Sequence, residues 1–237
     1  MKTKSKRIIL SLLSIALVLT IAIGTDYGSL ASKQMEKRSS LIQGINKVNI
    51  QTMELYQSKM VRFDKLSKDL EDFKKNGSTG IKKDNTLYLT RKSGFTSSEL
   101  DSGLKGTKLE GLGTDFKKAE DEFGVNAILL MAMAKHESGN GTSLLADEKN
   151  NLFGFNAIDQ DPINAASKFK SKGESINHVA KFLKDNYLKK DGRFYNGVST
   201  EGIGELYATD PDWSKKVSNM MVEVSQNMLN EYERAGK

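Results

Sequence analysis

The sequence contains no cysteine, and it has only two prolines, two histidines and one tryptophan in 237 residues. Without cysteine, the chain has no disulfide, no thiolate metal site and no cysteine nucleophile. Two histidines are too few for a histidine-rich metal centre, so we expect no metal. Because proline interrupts helices, its scarcity allows long helical stretches.

The net charge of +6 is unevenly distributed along the chain. Residues 110–237 carry 16 basic and 20 acidic side chains, so the basic excess lies in the N-terminal half. A protein that follows a phosphate backbone should carry its basic surface on the working domain. The distribution therefore argues against a nucleic-acid partner. It is compatible with a segment near anionic lipid or wall polymer, or with an ordinary solvated surface.

The N-terminus has the pattern of an export or membrane segment. Four basic residues among the first seven precede an apolar run at residues 8–23. Basic residues in this position keep the N-terminus in the cytoplasm and direct the rest of the chain outward. We expect residues 1–31 to be an uncleaved single-pass anchor with the remainder extracytoplasmic. The alternative is a secreted protein cleaved near Ala31, where small residues precede the cut.

A long amphipathic helix is predicted for residues 33–75. Its apolar side chains recur at steps of three and four and alternate with charged ones. Such a stripe fits packing on the domain, pairing with a second chain, or a stalk, and we expect a membrane-protein partner or self-association through it. The polar, glycine-containing residues 76–80 predict a linker. We therefore divide the chain into an anchor, a stalk with linker at 32–80, and a C-terminal domain at 81–237.

The rest of the chain predicts one strand and several helices. Residues 86–90 alternate between polar and apolar side chains, which is typical of a strand. From residue 114 onward the pattern is helical. Residues 127–134 are apolar on every face, so that helix should be buried at the centre of the domain, with Asn126 as its N-cap.

Glu137 lies at the end of this buried helix and is followed by a glycine turn. Burial disfavours the charged carboxylate and raises its pKa, which is the property that a glycosidase acid needs. A glutamate that only caps the helix or forms an ion pair is the alternative reading. A zinc peptidase is excluded, because its motif requires histidine at position 140, which is Asn140.

Three motifs in order carry a family resemblance. The first is Glu-Ser-Gly at 137–139 with Gly-Thr-Ser at 141–143. The second is Asn-Asn-Leu-Phe-Gly at 150–154, and the third is Tyr-Ala-Thr-Asp-Pro at 207–211. Together they resemble the glucosaminidase family of bacterial autolysins, glycoside hydrolase family 73. The resemblance covers roughly residues 93–233. With its N-terminal segment, the chain is similar to the membrane-bound members from Gram-positive bacteria.

The resemblance implies an α+β, predominantly helical fold with a lysozyme-like, two-lobed domain. It implies hydrolysis of the β-1,4 bond between N-acetylglucosamine and N-acetylmuramic acid in peptidoglycan, on the reducing side of the glucosamine. Glu137 corresponds to the general acid, and no cofactor is expected. The alternatives are a muramidase or lytic transglycosylase on the same glycan, or a non-catalytic wall-binding scaffold on a membrane stalk.

The second catalytic group is open at this stage. Asp210 lies in the third motif and is the preferred partner of Glu137, while Asp159, Asp161 and Glu174 are candidates by position alone. A third route needs no second nucleophile, because the 2-acetamido group of the substrate can attack its own anomeric carbon. Asp210 or Tyr207 would then orient that group.

Five residues are predicted to bind the sugar chain. Aromatic rings pack on the apolar faces of sugars, and an asparagine amide can bond an acetamido group. For Phe153 and Trp213 a place in the core is the alternative, and for Asn151 it is the fixing of its loop. The five candidates are Asn151, Phe153, Phe155, Tyr207 and Trp213.

Overall fold

The computed structural model describes residues 30–157 and 162–236. The apolar run at 8–23 and the candidates Asp159 and Asp161 lie outside these residues. Within the described ranges, no helix is long and apolar enough to cross a membrane.

The described residues are predominantly helical, as predicted. The helices are α1 (Leu30–Gly80), α2 (Ser97–Ser102), α3 (Gly113–Phe123), α4 (Ala127–Ser138), α5 (Leu144–Glu148), α6 (Pro162–Ala165), α7 (Lys172–Leu183), α8 (Thr200–Tyr207) and α9 (Trp213–Ala235), with a π-helical turn, Lys184–Leu188, after α7. No strand occurs in the part of the chain that the structure describes. The β component of the predicted α+β class is therefore absent from it.

The predicted strand at 86–90 is wrong, because this segment is wound into successive turns. Leu87 and Leu89 are buried, as the alternation indicates, but the backbone bonds to side chains rather than to a partner strand. The carboxylate of Asp69 accepts the N–H of Thr86 at 2.6 Å. The amide of Asn126 donates to the carbonyl of Thr86 at 2.8 Å. Side chains from α1 and from the start of α4 thus replace a neighbouring strand.

The chain divides into two compact units, residues 1–60 and 61–237. In the second unit, the α1 side chains Phe63, Leu66, Leu70 and Phe73 are buried in the main apolar core. Residues 61–80, which the sequence places with the stalk, therefore pack as part of the larger unit.

The described residues of the first unit, 30–60, form helix and leave large apolar side chains in contact with solvent. Leu41 is 57% exposed, Val48 60% and Leu55 70%. The stripe predicted at 33–75 thus has two parts. The part beyond residue 61 is buried, and the part before it is exposed.

The segment predicted as a linker is packed rather than free. Gly77 interrupts the helical geometry of α1 with φ 66° and ψ −179°. Ser78 follows with only 2% of its surface exposed. Its hydroxyl accepts the backbone N–H of Thr200 at 2.8 Å. The kinked end of α1 is therefore bonded to the first residue of α8.

Helix α4 is the central element, as predicted, and the residues from Ala127 to Ala134 have no exposed surface. It packs mainly against α9. Asn126 caps it by accepting the N–H of Ile128 at 2.9 Å. The buried carboxylate of Glu120 accepts the N–H of Ala127 at 2.9 Å. These polar contacts hold the N-terminus of α4, whose apolar residues are packed in the core.

Candidate active site

Glu137 lies in the last turn of α4, immediately before a sharp reversal of the chain. Gly139, Asn140 and Gly141 all have positive φ, at 56°, 61° and 82°. The hydroxyl of Ser138 accepts the N–H of Gly141 at 2.7 Å, which closes the turn. A row of left-handed residues is favourable only with glycine or asparagine, which is the composition found here.

The carboxyl group of Glu137 is bonded to a distant aromatic residue. Its Oε1 accepts the indole N–H of Trp213 at 2.7 Å. Burial raises the pKa of Glu137, and the Trp213 bond and the positive charge of His136 oppose this rise. The net direction is upward, so Glu137 keeps its proton to a higher pH than an exposed glutamate.

Tyr207 is the second aromatic residue beside this carboxyl group. Its ring centroid lies 4.9 Å from that of Trp213. Burial and the negative charge of Glu137 raise the pKa of Tyr207, so its hydroxyl stays protonated. The structure shows no hydrogen bond from that hydroxyl to any described residue.

Asp210 has the opposite electrostatic environment. Its Oδ2 pairs with the ammonium of Lys216 at 2.5 Å, and its Oδ1 accepts the N–H of Asp212 at 3.0 Å. The bond from Lys216 is the main reason why the pKa of Asp210 is lowered, and the positive charge of His136 adds to it. His136 acts on both carboxyl groups, whose pKa values are moved in opposite directions.

A surface depression lies beside Asp210, between α8 and the start of α9. Its lining includes Glu201, Glu205, Thr209 and Asp210. Glu137 is not among the lining residues. The depression therefore adjoins Asp210 but not Glu137.

Asn151 is buried and fixes its own loop. Its amide group donates to the carbonyls of Phe155 and Ser167, both at 3.0 Å. Its oxygen accepts the N–H groups of Phe153 and Phe155 at 3.3 and 3.0 Å. These four bonds use the donors and the acceptor of the side chain, which matches the loop-fixing alternative rather than a sugar contact.

The other aromatic candidates differ in exposure. Phe153 is only 4% exposed and lies in the core, whereas Phe155 is partly exposed. The Phe155 ring contacts His178 at 4.6 Å and Phe182 at 5.2 Å between centroids. Phe155 thus starts a row of aromatic rings that continues through Tyr187 to Tyr207 and ends at Trp213.

Glu174, a candidate by position, lies in the first turn of α7. Its carboxylate accepts the N–H of Lys170 at 2.6 Å, and its own N–H donates to the hydroxyl of Ser171 at 3.1 Å. Ser171 is the N-cap of α7, so both bonds hold the start of this helix. Its bonding gives Glu174 a structural role.

The sequence did not reveal two features of the site. The bond between Trp213 and Glu137 joins residues 76 positions apart. Tyr187 supports Tyr207, with ring centroids 5.7 Å apart, and donates its hydroxyl to the carbonyl of Leu206 at 3.2 Å. The one available signal was the position of the only tryptophan, directly after the third motif.

The described site combines a carboxyl group at a buried helix end, whose pKa is raised by burial, with a second carboxyl group whose pKa is lowered by Lys216. Pairs of this kind, with their pKa values moved apart, provide the acid and the anion of glycoside hydrolases. The helical fold and the site thus have the features expected of a glycosidase.

Comparison with known families identifies the group within this class. Residues 113–226 match the family model Glucosaminidase, described as mannosyl-glycoprotein endo-beta-N-acetylglucosaminidase. That part of the chain belongs to the glucosaminidase family. It contains all three sequence motifs, including Glu137 and Asp210.

The alignments with individual relatives cover part of this chain and a small part of each relative. A Streptococcus pneumoniae protein provisionally assigned as an endo-beta-N-acetylglucosaminidase is 32% identical over 145 residues, which are 59% of this chain and 22% of the relative. The bifunctional autolysin of Staphylococcus aureus is 29% identical over 154 residues, 54% of this chain and 12% of the relative. The chain therefore spans less than a quarter of the length of these relatives.

Two solved structures are also similar to part of this chain. A catalytic mutant of Staphylococcus aureus autolysin E in complex with the disaccharide NAG-NAM has a TM-score of 0.48 and 26% identity, covering 66% of this chain and 77% of that chain. Unmutated autolysin E from the same organism also has a TM-score of 0.48, with 25% identity and coverage of 69% and 77%.

Proposed function

We propose that the protein is an endo-β-N-acetylglucosaminidase that hydrolyses the β-1,4 bond between N-acetylglucosamine and N-acetylmuramic acid in peptidoglycan. The observation that carries the proposal is the placement of Glu137. Its carboxyl group lies at the end of the buried α4, held by Trp213, in surroundings that raise its pKa. Membership in the glucosaminidase family and the autolysin relatives support the choice of substrate.

Glu137 acts as the general acid. Its O–H bond breaks as a new O–H bond forms at the glycosidic oxygen, and the C–O bond to the anomeric carbon breaks with its electron pair left on that oxygen. The N-acetylmuramic acid side leaves as a neutral alcohol. Positive charge develops at the anomeric carbon. Water then forms a bond to that carbon, and its second proton returns to the Glu137 carboxylate, which restores the acid.

Asp210 stabilises that positive charge. Both of its oxygens already accept hydrogen bonds, from Lys216 and from the N–H of Asp212, which weakens it as a nucleophile. A stabilising role therefore suits Asp210 better than covalent attack. The 2-acetamido group of the substrate is the internal nucleophile in this account, and the Tyr207 hydroxyl orients it.

The five binding candidates divide into three groups. Phe155 and Tyr207 are only partly buried and are proposed to contact the sugar chain. Asn151 and Phe153 are buried and shape the loop that carries Phe155. Trp213 is 2% exposed and acts through Glu137 rather than through the sugar.

The remaining predictions complete the proposal. We keep a lysozyme-like, two-lobed arrangement for the catalytic domain at 81–237, an anchor at 1–31 and an extracytoplasmic site of action. Cleavage near Ala31 is the alternative for the anchor. Of the stripe predicted at 33–75, the apolar residues from Phe63 to Phe73 are buried. We therefore propose that a membrane-protein partner or a second copy binds the exposed apolar residues of 30–60.

Incubation of the full-length protein with purified peptidoglycan, followed by mass spectrometry of the released fragments, tests the proposal. The wild type should release fragments whose borohydride-reducible ends are N-acetylglucosamine. Glu137→Gln should release none. Glu148→Gln, an exposed glutamate at the end of α5, is the matched control and should behave as wild type.

Other products would identify the alternatives. Reducing N-acetylmuramic acid ends would indicate a muramidase, and anhydro ends would indicate a lytic transglycosylase. Absence of fragments from both the wild type and the control would favour the non-catalytic scaffold.

A further inference from the structure

In the hydrogen bond between Trp213 and Glu137, the indole is the donor, and this determines which carboxyl oxygen of Glu137 carries the proton. The indole Nε1 lies 2.7 Å from Oε1 of Glu137. An indole N–H is a donor only, so the oxygen that it contacts must accept. In the protonated carboxyl group, the accepting oxygen is the carbonyl oxygen, and the proton then belongs to the other one.

We infer that Trp213 is a positioning residue that holds Oε1 of Glu137 as an acceptor and so places the catalytic proton on Oε2. The inference rests on the proposed function only in assigning the acid role to Glu137. The contact and its effect on the proton exist without turnover.

The surroundings hold the indole ring in one position. Trp213 is the first residue of α9 and is 2% exposed. Gly204 of α8 allows the close approach, because a Cβ at that position would lie 2.9 Å from Cε3 of the indole. The ring of Tyr207 lies against the indole, with 4.9 Å between centroids. A ring packed in this way keeps its N–H directed at Glu137 in both protonation states.

Few titratable groups act on this carboxyl group. His136 does so from α4 itself, and the neutral phenol of Tyr207 belongs to α8. On α9, the Lys216 ammonium is paired with Asp210, and Glu223 is paired with Lys135. From α3, Glu120 bonds the opposite end of α4. Trp213 is therefore the hydrogen-bond donor that controls Glu137 among the described residues.

The test uses the fact that Trp213 is the only tryptophan of the chain. The full-length protein, labelled with ¹⁵N, has one indole N–H signal, and its chemical shift is followed against pH. It should move in a single step as Glu137 gains its proton, with a midpoint above the range of an exposed glutamate. In Glu137→Gln this step should vanish, and in Glu148→Gln it should persist. His136→Gln identifies any contribution from the imidazole.

The kinetic part of the test separates positioning from folding. Trp213→Phe removes the donor but keeps an aromatic ring, so kcat should fall roughly tenfold to a hundredfold with KM within about twofold. The high-pH limit of kcat/KM should move upward, because the N–H no longer stabilises the carboxylate. Biosynthetic 5-fluorotryptophan, with a more acidic N–H at an almost unchanged size, should move that limit downward and replaces the phenylalanine variant if that variant does not fold.

Each outcome has a separate meaning. An indole signal that does not respond to pH, or that responds equally in Glu137→Gln, overturns the inference even if the enzyme cleaves glycan. A Glu137-dependent step without any cleavage leaves the inference intact and removes the proposed function. High-pH limits that coincide in the wild type and both tryptophan replacements also contradict the inference.

Discussion

The hydroxyl of Ser78 lies 2.9 Å from that of Thr200 and also accepts the backbone N–H of Thr200 at 2.8 Å. The same hydroxyl bonds the carboxylate of Glu201 at 2.5 Å. These contacts join the kinked end of α1 to the N-terminus of α8, whose last residue is Tyr207. The end of the N-terminal helix is thus structurally connected to the site.

Ser78→Ala should destabilise the protein by about 1–3 kcal/mol, because the buried N–H of Thr200 loses its acceptor. The free energy of unfolding from urea titration measures the effect. Ser39→Ala, at an exposed serine of the same helix, should stay within about 0.5 kcal/mol of the wild type. Equal effects of the two substitutions would show that the Ser78 cluster does not stabilise the fold.

The activity should depend on pH through two groups with opposite shifts. Catalysis requires Glu137 protonated, and burial raises its pKa, so kcat/KM should fall only as pH rises above the range of an ordinary glutamate. It also requires Asp210 ionised, and Lys216 lowers the pKa of Asp210, so the acid limb should lie below the ordinary aspartate range. Asp210→Asn should lower kcat and remove the acid limb. An acid limb that persists in Asp210→Asn would assign it to another group.

Glu120 should make stability depend on pH in a defined direction. Burial raises its pKa in the folded state, so the folded protein binds this proton more tightly than the unfolded chain does. Its contribution favours folding at low pH and is lost as pH rises through the folded-state pKa. A glutamine can still accept from Ser93 and Ala127 through its oxygen. Glu120→Gln should therefore reduce the pH dependence of stability and raise the unfolding temperature at neutral pH. Glu120→Ala leaves those N–H groups unpaired and should cost roughly 1–3 kcal/mol.

Thermal unfolding at several pH values compares these variants with the wild type. A Glu120→Gln protein with the same pH dependence as the wild type would show that another group causes it.

The turn after Glu137 should tolerate no added side chain at Gly141. A Cβ there would lie 2.8 Å from Cδ2 of Leu109, and φ is 82°. Gly106 has a similar φ of 79° but open space around it, so Gly106→Ala measures the backbone strain alone. Both variants should be destabilised by about 1–2 kcal/mol from strain, and Gly141→Ala by more. Equal free energies of unfolding would mean that the Leu109 contact relaxes without cost.

The elements that the sequence predicts well are those defined by local patterns. The apolar run at 127–134 indicates a helix that is buried on every face. Asn126 is its N-cap, and its capping bond is to a residue of the same helix. The environment that raises the pKa of Glu137 follows from the same pattern. These features depend on neighbouring residues, so the sequence contains them directly.

The missed features depend on contacts between distant residues. Residues 86–90 alternate like a strand, but Asp69 and Asn126 supply the hydrogen bonds that a second strand would otherwise supply. Asn151 has the polarity of a binding residue, and only the folded loop shows that its amide is already used. The bond from Trp213 to Glu137 likewise requires α9 to lie against α4.

The most direct measurement of the central claim is hydrolysis of purified peptidoglycan in water enriched in ¹⁸O. We predict one ¹⁸O atom at each new reducing N-acetylglucosamine end. Such ends should be formed by the wild type and by Glu148→Gln but not by Glu137→Gln. Label on N-acetylmuramic acid ends, unlabelled anhydro ends, or labelled N-acetylglucosamine ends that persist in Glu137→Gln would contradict it.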